Sequence, residues 1–169
     1  MTSADLYLRK GADRRLRGGH LWIYSNEIDS KRSSLGSFAP GEPVCVRSAE
    51  GKLLGSAYME PQSLICARMF APGEQRSLDF SLILQRLKVA LAGRDAFFDQ
   101  PFYRLVYGDS DLLPGIVIDR FGPYLVVQLN NAGWNVTGNL CWMPWWTCSS
   151  PRACCCVAIA VAVVRAVWR

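Results

Sequence analysis

Residues 8–29 read LRKGADRRLRGGHLWIYSNEID, and here five basic side chains, Arg9, Lys10, Arg14, Arg15 and Arg17, stand directly before an apolar, aromatic segment. Leu21, Trp22, Ile23 and Tyr24 read as a strand that buries one face, because β-branched and aromatic side chains fit a half-buried pleated surface. Gly11 to Gly19 reads as a brief helix or turn carrying the arginines, and Leu6-Tyr7-Leu8 as a short first strand. Dense positive charge beside a ring suits a nucleic-acid backbone. Phosphates take the charge, and an unpaired base can stack on the ring.

Working outward, the polar turn SKRSSLGS adds Lys31 and Arg32 to the basic set. Pro40-Gly41-Glu42-Pro43 then punctuates the approach to a strand at Val44-Cys45-Val46-Arg47, and Glu50-Gly51 suits a hairpin turn before Leu53 to Tyr58. Ile65 to Phe70 supplies a further strand. Short strands punctuated by Gly and Pro predict a small β-barrel or half-barrel and argue against a doubly wound sheet.

Ala71 to Arg76 is polar and turn-rich, which marks a boundary between residues 1–72 and a second domain over residues 77–133. Phe80, Ile83, Leu84, Leu87 and Leu91 recur at helical spacing; Ser77 or Asp79 can cap that helix and Gly93 can end it. Strands follow at FYRLVY, GIVIDRF and YLVVQL, joined by GDSDLLPG and by Gly122-Pro123. One helix and three strands form a partial α+β unit with too little core to stand comfortably alone.

With 169 residues, half of them apolar, the chain can bury a core in one ordinary domain or two small ones, and the composition excludes global disorder. Its formal charge of +5 is unevenly founded: from Trp134 onward there is no Asp, Glu or Lys, and without that segment's three arginines the first 133 residues hold 16 basic and 14 acidic side chains. The start MTSADLYLRK lacks the apolar region of a secretory signal, and the apolar run Ala153 to Val164 is shorter than a membrane span, so a cytoplasmic location with no membrane partner is expected.

Residues 134–169 also hold five of the six tryptophans and five of the seven cysteines. Trp is encoded only by TGG and Cys only by TGC or TGT, so a segment rich in both has codons rich in TG. Moving the frame back by one nucleotide turns every such codon into NTG, which encodes Leu, Met or Val. Cys141 to Cys148 then becomes an apolar residue, Leu, Asp, Ala, an apolar residue, Val, Asp and a final apolar residue, which is an amphipathic helix pattern. Cys154-Cys155-Cys156 conceals at least two leucines on the same reading. Loss of one nucleotide near codon 133 accounts for the tail, which is expected to lack a proper fold. Adjacent cysteines with no His nearby do not have the ligand spacing of a zinc site, so no metal is expected.

Other conspicuous residues have structural readings. His20, the sole histidine, follows two glycines and reads as a turn or core-edge residue. Asp109 and Asp111 read as capping a side-chain-stabilised turn, and Cys45 and Cys66 as small buried side chains.

Two stretches carry a family resemblance. LRKGADRRLRGGHLWIYSNEI with Gly41 to Tyr58, and YGDSDLLPGIVIDRFGPYLVVQ, resemble in order and spacing the front half of bacterial class I 23S rRNA cytosine-C5 methyltransferases with an N-terminal PUA domain, over residues 5–132. The resemblance implies a mainly β fold with an α+β part: a PUA-like β-barrel that contacts RNA, then a partial linker domain of one helix plus β-hairpin strands. It also implies a Rossmann-like domain that binds S-adenosylmethionine and carries the catalytic cysteine. Nothing after Gly133 offers the strand, Gly-rich turn and acidic residue of such a cofactor site, so no catalytic or cofactor-binding residue is assigned in this chain. The expectation is therefore an RNA-binding front portion that is inactive by itself. RNA, specifically 23S rRNA, is the implied partner, with Arg9, Lys10, Arg14, Arg15, Arg17, Lys31 and Arg32 as the contacting residues. The alternative is a stand-alone PUA-like RNA-binding module with no enzymatic activity.

Overall fold

The computed structural model describes residues 3–131, Trp134 and the backbone of residues 160–165. The restored helix over Cys141 to Cys148 and the cysteine triplet at Cys154 to Cys156 lie outside the described residues. The chain divides into two compact units, Met1–Leu78 and Asp79–Arg169.

The first unit is a five-stranded sheet in the order β1-β3-β4-β5-β2, built from β1 (Ala4–Tyr7), β2 (Trp22–Tyr24), β3 (Pro43–Arg47), β4 (Leu53–Met59) and β5 (Ile65–Pro72). β1 runs parallel to β3, and the remaining neighbours are antiparallel. An isolated bridge between Leu8 and Ile28, flanked by backbone bonds from the Arg9 N–H to the Glu27 carbonyl and from the Asp29 N–H to the Tyr7 carbonyl, joins the segments that follow the two outer strands and so closes the sheet into a barrel. Closure removes the exposed strand edges that otherwise invite aggregation.

The barrel interior follows the two-residue period of the strands. Leu6, Leu8, Ile23, Ile28, Val44, Val46, Met59 and Met69 form its core together with Leu16 from the one-turn helix α1 (Asp13–Arg17). Each such side chain contributes about 1.5–3 kcal/mol when fully buried. Where β4 crosses close to β5, Gly55 sits at φ +143°, and a Cβ there would collide with the Ala71 carbonyl and the Met69 side chain. Only glycine fits that approach.

The second unit holds α2 (Phe80–Asp95) and a four-stranded antiparallel sheet, β6 (Phe102–Tyr107), β7 (Ile116–Phe121), β8 (Tyr124–Leu129) and β9 (Ala160–Arg165), in that order. Asp79 caps α2 by accepting the Leu82 N–H at 2.9 Å. The helix runs through Gly93 and ends at Asp95, two residues beyond the stop read from the sequence. Its buried residues are Leu82, Ile83 and Ala90, whereas Phe80 is exposed. Ile116, Ile118, Leu125, Val127 and Leu129 alternate into the core of the sheet.

Between β6 and β7 the GDSD turn is a short 3-10 segment. The Asp111 carboxylate accepts the Tyr107 N–H at 2.7 Å and both oxygens take Arg94 at 3.0 Å. Leu112 follows in the left-handed region at φ 56°, with its carbonyl held by Arg86. The tail supplies β9 along the whole length of β8, from Tyr124 opposite Arg165 to Leu129 opposite Ala160.

Candidate nucleic-acid interface

α1 is too short to persist by itself, and its place is set by Leu16, which is buried in the barrel while Arg14, Arg15 and Arg17 stay exposed around it. Gly18 closes the helix, and Gly19, at φ +92°, lets the His20 N–H turn back to the Arg15 carbonyl at 3.1 Å. The turn places the arginines beside the start of β2.

The basic residues differ in how firmly they are held. Arg15 donates to Glu27 at 3.0 Å and lies 4.8 Å from the Tyr24 ring centroid, while the second Glu27 oxygen takes the Tyr24 N–H at 2.9 Å. Arg17 pairs with Asp13 at 2.6 Å one turn earlier in the same helix. Arg9 donates from Nε to the Ile28 carbonyl at 2.9 Å, and Arg32 donates to the Ala49 carbonyl at 2.8 Å while stacking on Tyr7. Lys10, Arg14 and Lys31 are exposed and make no side-chain bond or ion pair among the described residues. Exposed pairs of this kind contribute little to stability, so the cations remain available to a partner.

Trp22 and Tyr24 lie half-buried on the face of β2 opposite Ile23, which is fully buried. His20 meets Trp22 edge-on with ring centroids 6.3 Å apart and approaches Arg15 at 3.4 Å, so it belongs to this surface. Two further members were not foreseen. Arg68 sits opposite Trp22 in the β2–β5 register, 5.5 Å from that ring, and Tyr7 lies beneath Arg32. Neither has a local sequence signal, because both contacts bring together residues far apart in the chain, Trp22 with Arg68 across two strands and Tyr7 of β1 with Arg32 of a turn.

The remaining polar candidates are engaged structurally. Asp111 is held by Arg94 and Asp119 by Arg104 at 2.8 Å, so these carboxylates brace the second unit. Cys45 and Cys66 are free and buried. Burial pushes the Cys66 thiol up to about 12 and raises that of Cys45, which keeps both protonated and poorly nucleophilic. Among the described residues no His, Cys, Asp and Glu side chains gather in threes to hold a metal. No helix among them is long and apolar enough to cross a membrane.

Comparison with known families finds a family model that matches residues 6–72. Those residues are a PUA-like domain. Beyond the PUA-like domain, the chain is homologous to the N-terminal part of the proteins named ribosomal RNA large subunit methyltransferase I. The Erwinia tasmaniensis protein is 40% identical over 131 residues, which is 76% of this chain and 32% of that protein. The Vibrio cholerae protein is also 40% identical, over 136 residues, 79% of this chain and 33% of its own length. The chain thus spans about a third of the curated relatives it matches.

The fold is shared with a SAM-dependent methyltransferase structure from Streptococcus mutans, at a TM-score of 0.67 and 19% identity, covering 82% of this chain and 36% of that one. A methyltransferase structure complexed with SAH matches at 0.66 over 83% of this chain. S-adenosylmethionine needs a strand, a Gly-rich turn and a following helix N-terminus to receive it. The described strands of the second unit are joined antiparallel, and its one long helix opens on the Asp79 cap, so the described residues do not fit this cofactor.

Proposed function

We propose that this chain is the RNA-binding N-terminal portion of an rRNA cytosine-C5 methyltransferase-type protein, and that Arg9, Lys10, Arg14, Arg15, Arg17, Lys31 and Arg32 contact the RNA. The observation that carries this reading is a PUA-like unit whose exposed basic turn, with Lys10 and Arg14 uncommitted among the described residues, meets the half-buried Trp22–Tyr24 strand through Arg15 over the Tyr24 ring. Charge distribution supports it. Residues 1–78 hold 11 basic and 8 acidic side chains, whereas residues 79–131 hold five and six. Affinity for phosphates follows the first unit.

On this proposal residues 1–72 are the RNA-binding domain, residues 77–133 a partial linker domain, and residues 134–169 an out-of-frame tail. The partner is 23S rRNA in the cytoplasm, S-adenosylmethionine is a cofactor of the longer relatives, and this chain alone transfers no methyl group. Photo-crosslinking of the full chain to 23S rRNA fragments, with peptide mapping, tests the reading. Crosslinks within residues 9–32 are expected. Crosslinks confined to residues 79–131, or none, would contradict it.

A further inference from the structure

Among the described residues six arginine side chains lie over aromatic rings, and one of them differs from the rest in both distance and ion pairing. Arg32 places its guanidinium carbon 3.4 Å from the Tyr7 centroid, in full van der Waals contact, whereas the other five stand 4.8 to 5.5 Å away. Those five each have a carboxylate within ion-pair distance: Glu27 for Arg15, Glu60 for Arg68, Asp111 for Arg94, Asp119 for Arg104 and Asp95 for Arg120. Among the described residues Arg32 has none, and its side chain donates instead to the Ala49 carbonyl at 2.8 Å.

The stack stands on a rigid base. The Tyr7 N–H donates to the buried Ser33 hydroxyl at 3.0 Å, the Tyr7 carbonyl accepts the Asp29 N–H at 2.9 Å, and the Arg32 and Ser33 N–H groups both return to the Asp29 carbonyl. The Tyr7 hydroxyl reaches Asp5 at 3.4 Å, and Asp5 is itself held by Arg47 at 2.6 Å. One face of the guanidinium is therefore covered by a fixed ring and one edge by a backbone carbonyl. Arg32 is nevertheless exposed, so its other face is open to solvent. Lys31, next to it, is exposed and has no side-chain partner among the described residues.

A planar, weakly hydrated guanidinium stacks on π-faces, and an unpaired base accepts an arginine plane as it accepts an aromatic ring. A plane already ordered by the fold loses little further freedom when a base settles on it. A phosphate contact alone requires no such stack, and a lysine would serve it. We propose that the open face of Arg32, backed by Tyr7, is a platform for one unpaired base of single-stranded RNA, with Lys31 meeting the adjoining phosphate. This rests on the RNA-binding reading above and narrows it to a residue and a ligand geometry.

The test compares binding of the full chain and its Arg32→Lys and Arg32→Ala variants to three probes: a fluorescent single-stranded RNA, the same strand made abasic, and an RNA duplex. Both variants are expected to bind the single strand about fivefold or more weakly. Arg32→Lys should leave the salt slope unchanged and should match the wild type on the abasic strand and the duplex. Thermal melts establish that the variants are folded. Wild-type affinity of Arg32→Lys for the single strand, whether or not Arg32→Ala is weakened, overturns the platform and leaves the RNA-binding reading standing. Failure of the wild type to bind any of the probes at low salt removes both.

Discussion

The indole N–H of Trp134 donates to the carbonyl of Pro114 at 2.8 Å, and Trp134 is almost wholly buried. The first residue of the anomalous tail is thus a core residue of the second unit. A shift of reading frame would place Leu, Met or Val at the same position, so an apolar side chain belongs there in either frame. Trp134→Ala is expected to cost about 3–5 kcal/mol and Trp134→Leu distinctly less, since leucine keeps much of the burial and loses the hydrogen bond. Urea unfolding of the two variants checks the order; equal losses would show that the indole bond dominates.

Gly115 precedes β7 at φ +77°, and a Cβ built there would overlap the Asn131 side chain. Gly115→Ala therefore combines left-handed strain with a steric clash. A loss greater than about 1 kcal/mol is expected. Gly11→Ala makes the control, because a Cβ at Gly11 meets nothing within 4 Å although its φ is +82°. The difference between the two thermal midpoints isolates the clash from the backbone term.

Among the cations, engagement should set the size of each effect. Arg14→Ala or Lys31→Ala is expected to lower the slope of log affinity against log salt by about one unit. Arg17→Ala should have less effect, because its charge is already paired with Asp13 at 2.6 Å. Arg15→Ala should likewise have less effect, because Arg15 is already paired with Glu27 at 3.0 Å. Salt titrations of the four single variants give the ranking directly.

Cys66 carries a thiol pushed by burial from an ordinary 9.0 to about 12. The folded state holds its proton more tightly than the unfolded state does. The resulting stabilisation is complete below about pH 9 and is lost as pH rises toward about 12. Peptide-resolved alkylation at pH 8 should leave the Cys66 peptide unmodified in the native protein and label it after unfolding. Rapid native labelling would show that the barrel opens far more readily than its packing implies.

Local chemistry made much of the fold legible. The alternation around Ile23, the Asp79 cap and the Gly-and-Pro punctuation between strands each act within a few residues, and each is found in the structure where it was read. Gly93 misled, because a glycine inside a helix costs only about 1 kcal/mol and the Arg94 pair with Asp111 helps hold the last turn in place. Arg68 opposite Trp22 and Tyr7 beneath Arg32 were hidden for a different reason. They depend on strand register and barrel closure, which bring together residues that share no local pattern.

The central claim is that the basic turn of the PUA-like unit takes RNA through its phosphates. Binding of the full chain to 23S rRNA fragments, measured across salt concentrations for the wild type and for Arg14→Ala/Arg15→Ala/Arg17→Ala, addresses it most directly. Weaker binding with a flatter salt dependence in a folded triple variant is the expected result. Unchanged affinity and slope in that variant would contradict it.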